Sequence, residues 1–135
     1  MTEITSIDAD GNRLVEASYW ADNSKSTGFE FFDDIQWGPS NWDFDMTRVW
    51  KETTTGKLFY AGDSGCSCPT PFEYTTVADL TEITRPQDFI EFVNEELKSY
   101  PDDTATVDDV RRVTQKIFKY FEEAKMGTRV GIEAV

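Results

Sequence analysis

The sequence predicts an α+β fold: an N-terminal antiparallel meander of about four to five strands packed against two antiparallel C-terminal helices. Three observations carry this. Residues 42–51 alternate Trp42, Phe44, Met46 and Trp50 with Asp43, Asp45, Thr47 and Lys51, the period of a half-buried antiparallel strand. Residues 84–100 place Phe89, Ile90, Phe92, Val93, Leu97 and Tyr100 at helical spacing. Residues 106–124 do the same with Val110, Val113, Ile117, Phe121 and Ala124.

The other elements follow in chain order. Asp8-Ala9-Asp10-Gly11-Asn12 has tight-turn chemistry and predicts a hairpin between residues 4–7 and 13–20. Residues 21–28, rich in Asp, Asn, Ser and Gly, read as a loop. Phe29 to Trp37 and Trp42 to Lys51 are the next two strands, joined at Gly38-Pro39-Ser40-Asn41. Only Arg48 interrupts the apolar face of the second, and Val49 its polar face. Thr53-Thr54-Thr55-Gly56 turns into a strand at 57–61.

Thr84 and Gln87 fit a capping box, with Pro86 in the first turn. Pro101-Asp102-Asp103 stops that helix. Thr106 caps the last one and Gly127 ends it, leaving 128–135 as a small edge strand. One domain over 1–135 is expected, strand-rich to 80 and helical over 84–126. Its core should bring together Trp37, Trp42, Phe44, Trp50, Phe89, Val93, Val113, Ile117 and Phe121, with the helices on the aromatic face.

Charge narrows the function. The 135 residues hold 26 acids and 13 bases, for a net charge of −13. Residues 1–50 have ten acids against three bases, 51–100 nine against four, and 101–135 seven against six, so the acid is concentrated in the first two thirds. Such a field disfavours nucleic acid and anionic membranes and favours a basic protein partner. Arg111, Arg112, Lys116 and Lys119 read as a solvated helix face complementing the acidic body. No signal peptide and no spanning segment is expected.

The chain has no His, which removes the commonest general base and metal ligand and rules out a Ser-His-Asp triad. Asp8, Asp10 and Asn12 begin like a calcium loop, but Arg13 and Tyr19 stand where Gly and Glu are needed. No phosphate loop and no nucleophile elbow occurs. No cofactor, no metal and no catalytic residue is therefore expected.

The segment Asp63-Ser64-Gly65-Cys66-Ser67-Cys68-Pro69-Thr70-Pro71-Phe72-Glu73 is the least ordinary stretch. Pro69 and Pro71 force their predecessors to be extended, which predicts a stiff, shaped loop. Zinc would need Cys66, Cys68, Asp63 and Glu73 together, or a second chain. A disulfide between Cys66 and Cys68 would close a strained ring. No Lys or Arg flanks the pair to lower a thiol pKa. Asp63, Cys66, Cys68, Pro69, Pro71 and Phe72 are thus candidates for a structural or recognition loop, with a thiol- or metal-dependent site as the alternative.

This segment, with Thr47-Arg48-Val49-Trp50 and Gly56-Lys57-Leu58-Phe59-Tyr60, resembles a family of small actinobacteriophage proteins of unknown function marked by D-S-G-C-S-C-P-x-P-F-E. The likeness covers residues 42–83. It implies phage origin and a place in the host cytoplasm, and it implies no activity. The candidate contact surface is an acidic grid of Glu30, Asp34, Asp43 and Asp45 on paired strands. The functional expectation is a non-enzymatic accessory protein that binds a basic surface of a host protein, with a virion component as a further alternative.

Overall fold

A computed structural model describes residues 5–17, 22–38, 43–66, 70–100 and 104–134, without the side chains of 43, 66, 104–105 and 126–134. Its order is α1 (Asn23–Thr27), β1 (Phe29–Gln36), β2 (Asp43–Glu52), β3 (Leu58–Cys66), β4 (Thr81–Glu82), α2 (Pro86–Leu97) and α3 (Thr104–Ala134). The strands form one antiparallel sheet in the order β1-β2-β3-β4, followed by two helices. The expected α+β architecture is the observed one.

The sheet is covered on both faces. Ile35, Trp37, Val49 and Leu58 meet Phe89 and Val93 of α2 and Val110, Val113 and Ile117 of α3. On the opposite face Phe29, Trp50 and Ala61 meet Val15 and Phe72. Val49, which interrupts the polar face in the sequence, is the signature of the helix-covered side. The helices were expected on the Trp50 face; they lie on the Thr47 and Val49 face instead. Trp37, Phe89, Val93, Val113 and Ile117 share one core as expected, with Phe121 packed against it. Trp50 belongs to the other core, Phe44 is half-buried at its margin, and Trp42 lies outside the described residues.

One irregularity explains the split. The register slips between Phe31 and Asp33, so Phe32 is an extra residue in β1. Phe29 and Phe31, opposite Glu52 and Trp50, face one way. Beyond the bulge Asp33 and Ile35, opposite Val49 and Thr47, face the helices. The bulge thus re-aims Asp33 at α3, where the Arg112 guanidinium grips both its oxygens at 3.1 Å and Lys116 stands 3.8 Å away. Two of the four basic residues expected on a solvated face of α3 are therefore structural.

Burial pushes the Asp33 pKa up, but the Arg112 hydrogen bonds, the Asp34 N–H and the charges of Arg112 and Lys116 outweigh it, and the pKa lies below its ordinary 3.8. A carboxylate lowered on folding adds stability that is complete above its unfolded value and lost as pH falls through the folded one. Thermal unfolding followed across acid pH should show the melting temperature dropping from about pH 4 downward. Asp33→Asn should be less stable at neutral pH and flatter over that window; a variant as pH-sensitive as the parent would show that other carboxylates carry the effect.

Several local expectations change. The turn at Asp8 forms, with its Oδ1 accepting the N–H of Asp10 and Asn12 at 2.9 Å. Its flanks make only the Ile7–Arg13 bridge among the described residues, and Leu14 then bridges Thr76. The expected 21–28 loop holds α1, capped by Asp22 and ended by Gly28 at φ +84°. Strand 57–61 continues to Cys66, so the first four residues of the Asp63–Glu73 segment are β-structure. Thr84 bonds the Asp88 side chain and the helix cap is Arg85, so the expected capping box does not form; Pro86 does open the helix. Thr106 sits inside α3, and the helix runs through Gly127 to Ala134, where an edge strand was expected. The expected stop at 101–103 lies outside the described residues.

Candidate functional site

The two long edges of the sheet differ. The outer edge of β1 is sealed by side chains. The Phe29 C=O accepts from Asn23 Nδ2 at 2.8 Å and its N–H is held by Thr27 Oγ1 at 3.0 Å. Helix α3 takes the rest: Lys116 Nζ reaches the Phe32 C=O, Arg112 the Asp34 C=O, Asp109 the Gln36 N–H and Thr106 the Gln36 C=O. Exposed strand edges invite pairing with other chains, and covering them with a helix is one of the ways proteins prevent it.

The edge of β3 is covered only at its start. Lys57 bonds Glu52, which sets the odd-numbered residues of β3 bonding toward β2 and the even-numbered ones away from it. Leu58 and Tyr60 turn to β4, where the Leu58 C=O accepts the Ile83 N–H at 2.8 Å. There β4 ends, after two residues. Among the described residues, nothing bonds the outward N–H and C=O of Gly62 or the outward C=O of Ser64. The Ser64 N–H is held only by the adjacent Asp63 Oδ1 at 3.0 Å.

A groove flanks this open edge on each face. Toward α2, Trp37, Thr47, Tyr60 and Phe92 form the floor, and Asp45, Asp79 and Glu96 stand around it, in a volume of about 420 Å³. On the other face a second groove of about 420 Å³ lies between Phe44, Asp63, Thr70 and Tyr74. Tyr74 is 78% exposed, an unusually open aromatic beside a bare strand edge.

Charge is divided between the edges in the same way. Asp33 and Asp109 pair with Arg112, Asp34 with Arg48, and Glu30 with Lys51. Asp45, Asp63, Asp79 and Glu96 have no ion-pair partner among the described residues, and no Lys or Arg lines either groove. Their described contacts are neutral: Asp45 accepts the Tyr100 hydroxyl, Asp63 the Phe72 N–H at 2.7 Å, and Asp79 the Thr76 N–H at 2.9 Å. The Asp45 bond pushes the Tyr100 phenol up to about 12, so it remains a neutral donor.

The expected acidic grid does not assemble. Because of the bulge, Glu30 lies on the helix side of β1 and Asp34 on the other. Both are neutralised, Glu30 by Lys51 at 2.7 Å and Asp34 by Arg48 at 3.2 Å. Asp45 stands apart at the open edge, and the Asp43 side chain is outside the described residues. The Cys-loop candidates divide too. Asp63 is at the open edge and Phe72 is fully buried, while Pro71 is half-buried between them. Cys68, Pro69 and the Cys66 side chain lie outside the described residues, and among those described no three His, Cys, Asp or Glu gather to hold a metal.

Arg48, an interruption in the sequence pattern, has a defined place. Its guanidinium lies between the Phe31 and Phe72 rings, at 5.4 and 4.7 Å from their centroids. Glu16 and Asp34 accept from it, and Glu16 also accepts from Trp50 Nε1 at 2.9 Å. Two aromatic faces and two carboxylates make a cation tolerable on an apolar face. Its partners lie 14 and 32 residues away in sequence, beyond what a local pattern conveys. The open edge had a faint signal in Gly62 and Gly65, since glycine in a strand often marks a close backbone approach.

No helix among the described residues is long and apolar enough to cross a membrane. No curated protein and no solved structure matches the chain. A family model described as Domain of unknown function (DUF7574) matches residues 19–123, which include all four strands, α2 and most of α3. The chain belongs to this family of unknown function.

Proposed function

We propose that this protein is a non-enzymatic binding module that receives an extended segment of a partner protein as an added strand along β3. The observation that carries the reading is the bare edge at Gly62 and Ser64, beside an opposite edge sealed along its length. Strand addition takes affinity from main-chain hydrogen bonds and specificity from grooves for alternate side chains, and a groove lies on each side of this edge. A second copy of the chain is a poor occupant, because pairing two such edges brings Asp63 and Asp79 against their own kind. The resemblance to actinobacteriophage proteins makes the partner a host protein and the host cytoplasm the place of binding.

The test is selection of random octapeptides on immobilised protein, followed by titration of the most enriched synthetic peptide into ¹⁵N-labelled protein. The amides of Gly62 and Ser64 should shift and gain protection from exchange. Gly62→Pro removes an outward donor and should weaken binding about tenfold or more, the cost of one unmet hydrogen bond. Gly62→Ala keeps the N–H, and its added methyl meets nothing closer than the Met46 C=O at 3.6 Å, so it should bind like the parent. Enriched peptides that leave both amides unmoved, or no enrichment at all, would overturn the reading.

A further inference from the structure

We infer that the segment docked on β3 carries a lysine or arginine whose side chain enters the groove on the α2 face; this rests on the strand-addition reading above. An added strand points alternate residues to opposite faces of the sheet. On the α2 face the residue beside Gly62 meets half-buried Tyr60 and Phe92, whose ring centroids lie 4.7 Å apart, with Asp45, Asp79 and Glu96 around them. An aromatic floor under a carboxylate rim suits a cation on an aliphatic stem, because the stem packs on the rings while the charge reaches the rim.

Charge bookkeeping across the sheet singles out this place. The cations of α3 and β2 are spent on Asp33, Asp34, Asp109 and Glu30. The carboxylates of the α2 groove have no described cation. Neutral bonds hold Asp45 and Asp79 in place, so their charge is fixed in position but not cancelled. An acidic or purely apolar side chain here would leave that charge unmet, whereas a basic one meets it. The groove on the other face has a single carboxylate, Asp63, already accepting the Phe72 N–H, and places no such demand.

The same octapeptide selection tests this. Enriched sequences should carry lysine or arginine at one alternate position, and their affinity should fall as salt rises. Glu96→Gln and Asp45→Asn should each weaken the enriched synthetic peptide by about two- to fivefold, the range of exposed ion pairs and cation–π contacts. Together they should flatten its salt dependence, and replacing the peptide's basic residue by norleucine should leave the two variants equal to the parent. Peptides that require the Gly62 N–H but show no basic preference would overturn this inference and leave strand addition standing. Peptides insensitive to Gly62→Pro would overturn the strand-addition reading itself.

Discussion

Phe72→Ala should lower the stability of this protein by about 3–5 kcal/mol, the range for deleting a buried aromatic ring. Urea unfolding should show it as a lower midpoint at unchanged slope. Phe72 is fully buried against Trp50, edge to face at 5.1 Å, and the Arg48 guanidinium lies 4.7 Å above its ring. Its N–H donates to Asp63 at 2.7 Å. Removing the ring takes the main lid from the second core and leaves Arg48 with one aromatic face instead of two. The backbone adds a sharper expectation. Phe72 has φ +66°, the one described non-glycine residue in the left-handed region. Alanine keeps that strain and glycine relieves about 1 kcal/mol of it. Phe72→Gly should therefore be more stable than Phe72→Ala, although it removes one more carbon. The opposite order would mean that the backbone relaxes once the ring is gone.

This position shows how far the sequence could be read. The Asp63–Glu73 segment is stiff in the expected sense: its Asp63 and Phe72 are tied together, and Phe72 is pinned in the core. Its division into a strand and an anchor was not legible, because Cys66 ends a strand whose pairing partner, Asp43, lies 23 positions earlier. The meander and the two helices were legible, since alternation and helical spacing are local properties. The bulge at Phe32 was not. In Phe29-Glu30-Phe31-Phe32-Asp33-Asp34-Ile35 apolar residues stand at both parities, so either phase fits until β2 imposes its own. That one undetermined phase moved Asp34 off the Glu30 face and dissolved the acidic grid. The open edge was invisible for a different reason: it exists because β4 stops after Glu82, and a two-residue strand leaves no pattern.

Thr106→Val should cost about 2–4 kcal/mol, although valine matches threonine in shape. The Thr106 hydroxyl donates to the Gln36 C=O at 2.9 Å and accepts the Gly38 N–H at 3.0 Å. It bridges the last residue of β1 and the turn beyond it from a fully buried position on α3. The methyl that replaces it leaves two main-chain groups without that partner, at about 1–3 kcal/mol each. The chain cannot easily shift to recover them. Gly38 has φ +70°, and any Cβ there would lie 3.1 Å from the Tyr100 ring, which itself stacks on Trp37 at 5.8 Å. The Gly38 backbone is therefore wedged between Thr106 on one side and the Trp37–Tyr100 stack on the other. Thr106→Ser retains the hydroxyl and should cost only the lost methyl, about 1 kcal/mol. Equal losses in the Val and Ser variants would assign the effect to packing rather than to the two bonds. The Tyr100 side of that wedge continues to Asp45 at the α2 groove. Peptide binding measured on the Val variant, below its unfolding transition, then tells whether the buried staple also fixes the groove: weaker binding with intact β3 amide shifts would place the loss at Asp45 and not at the strand edge.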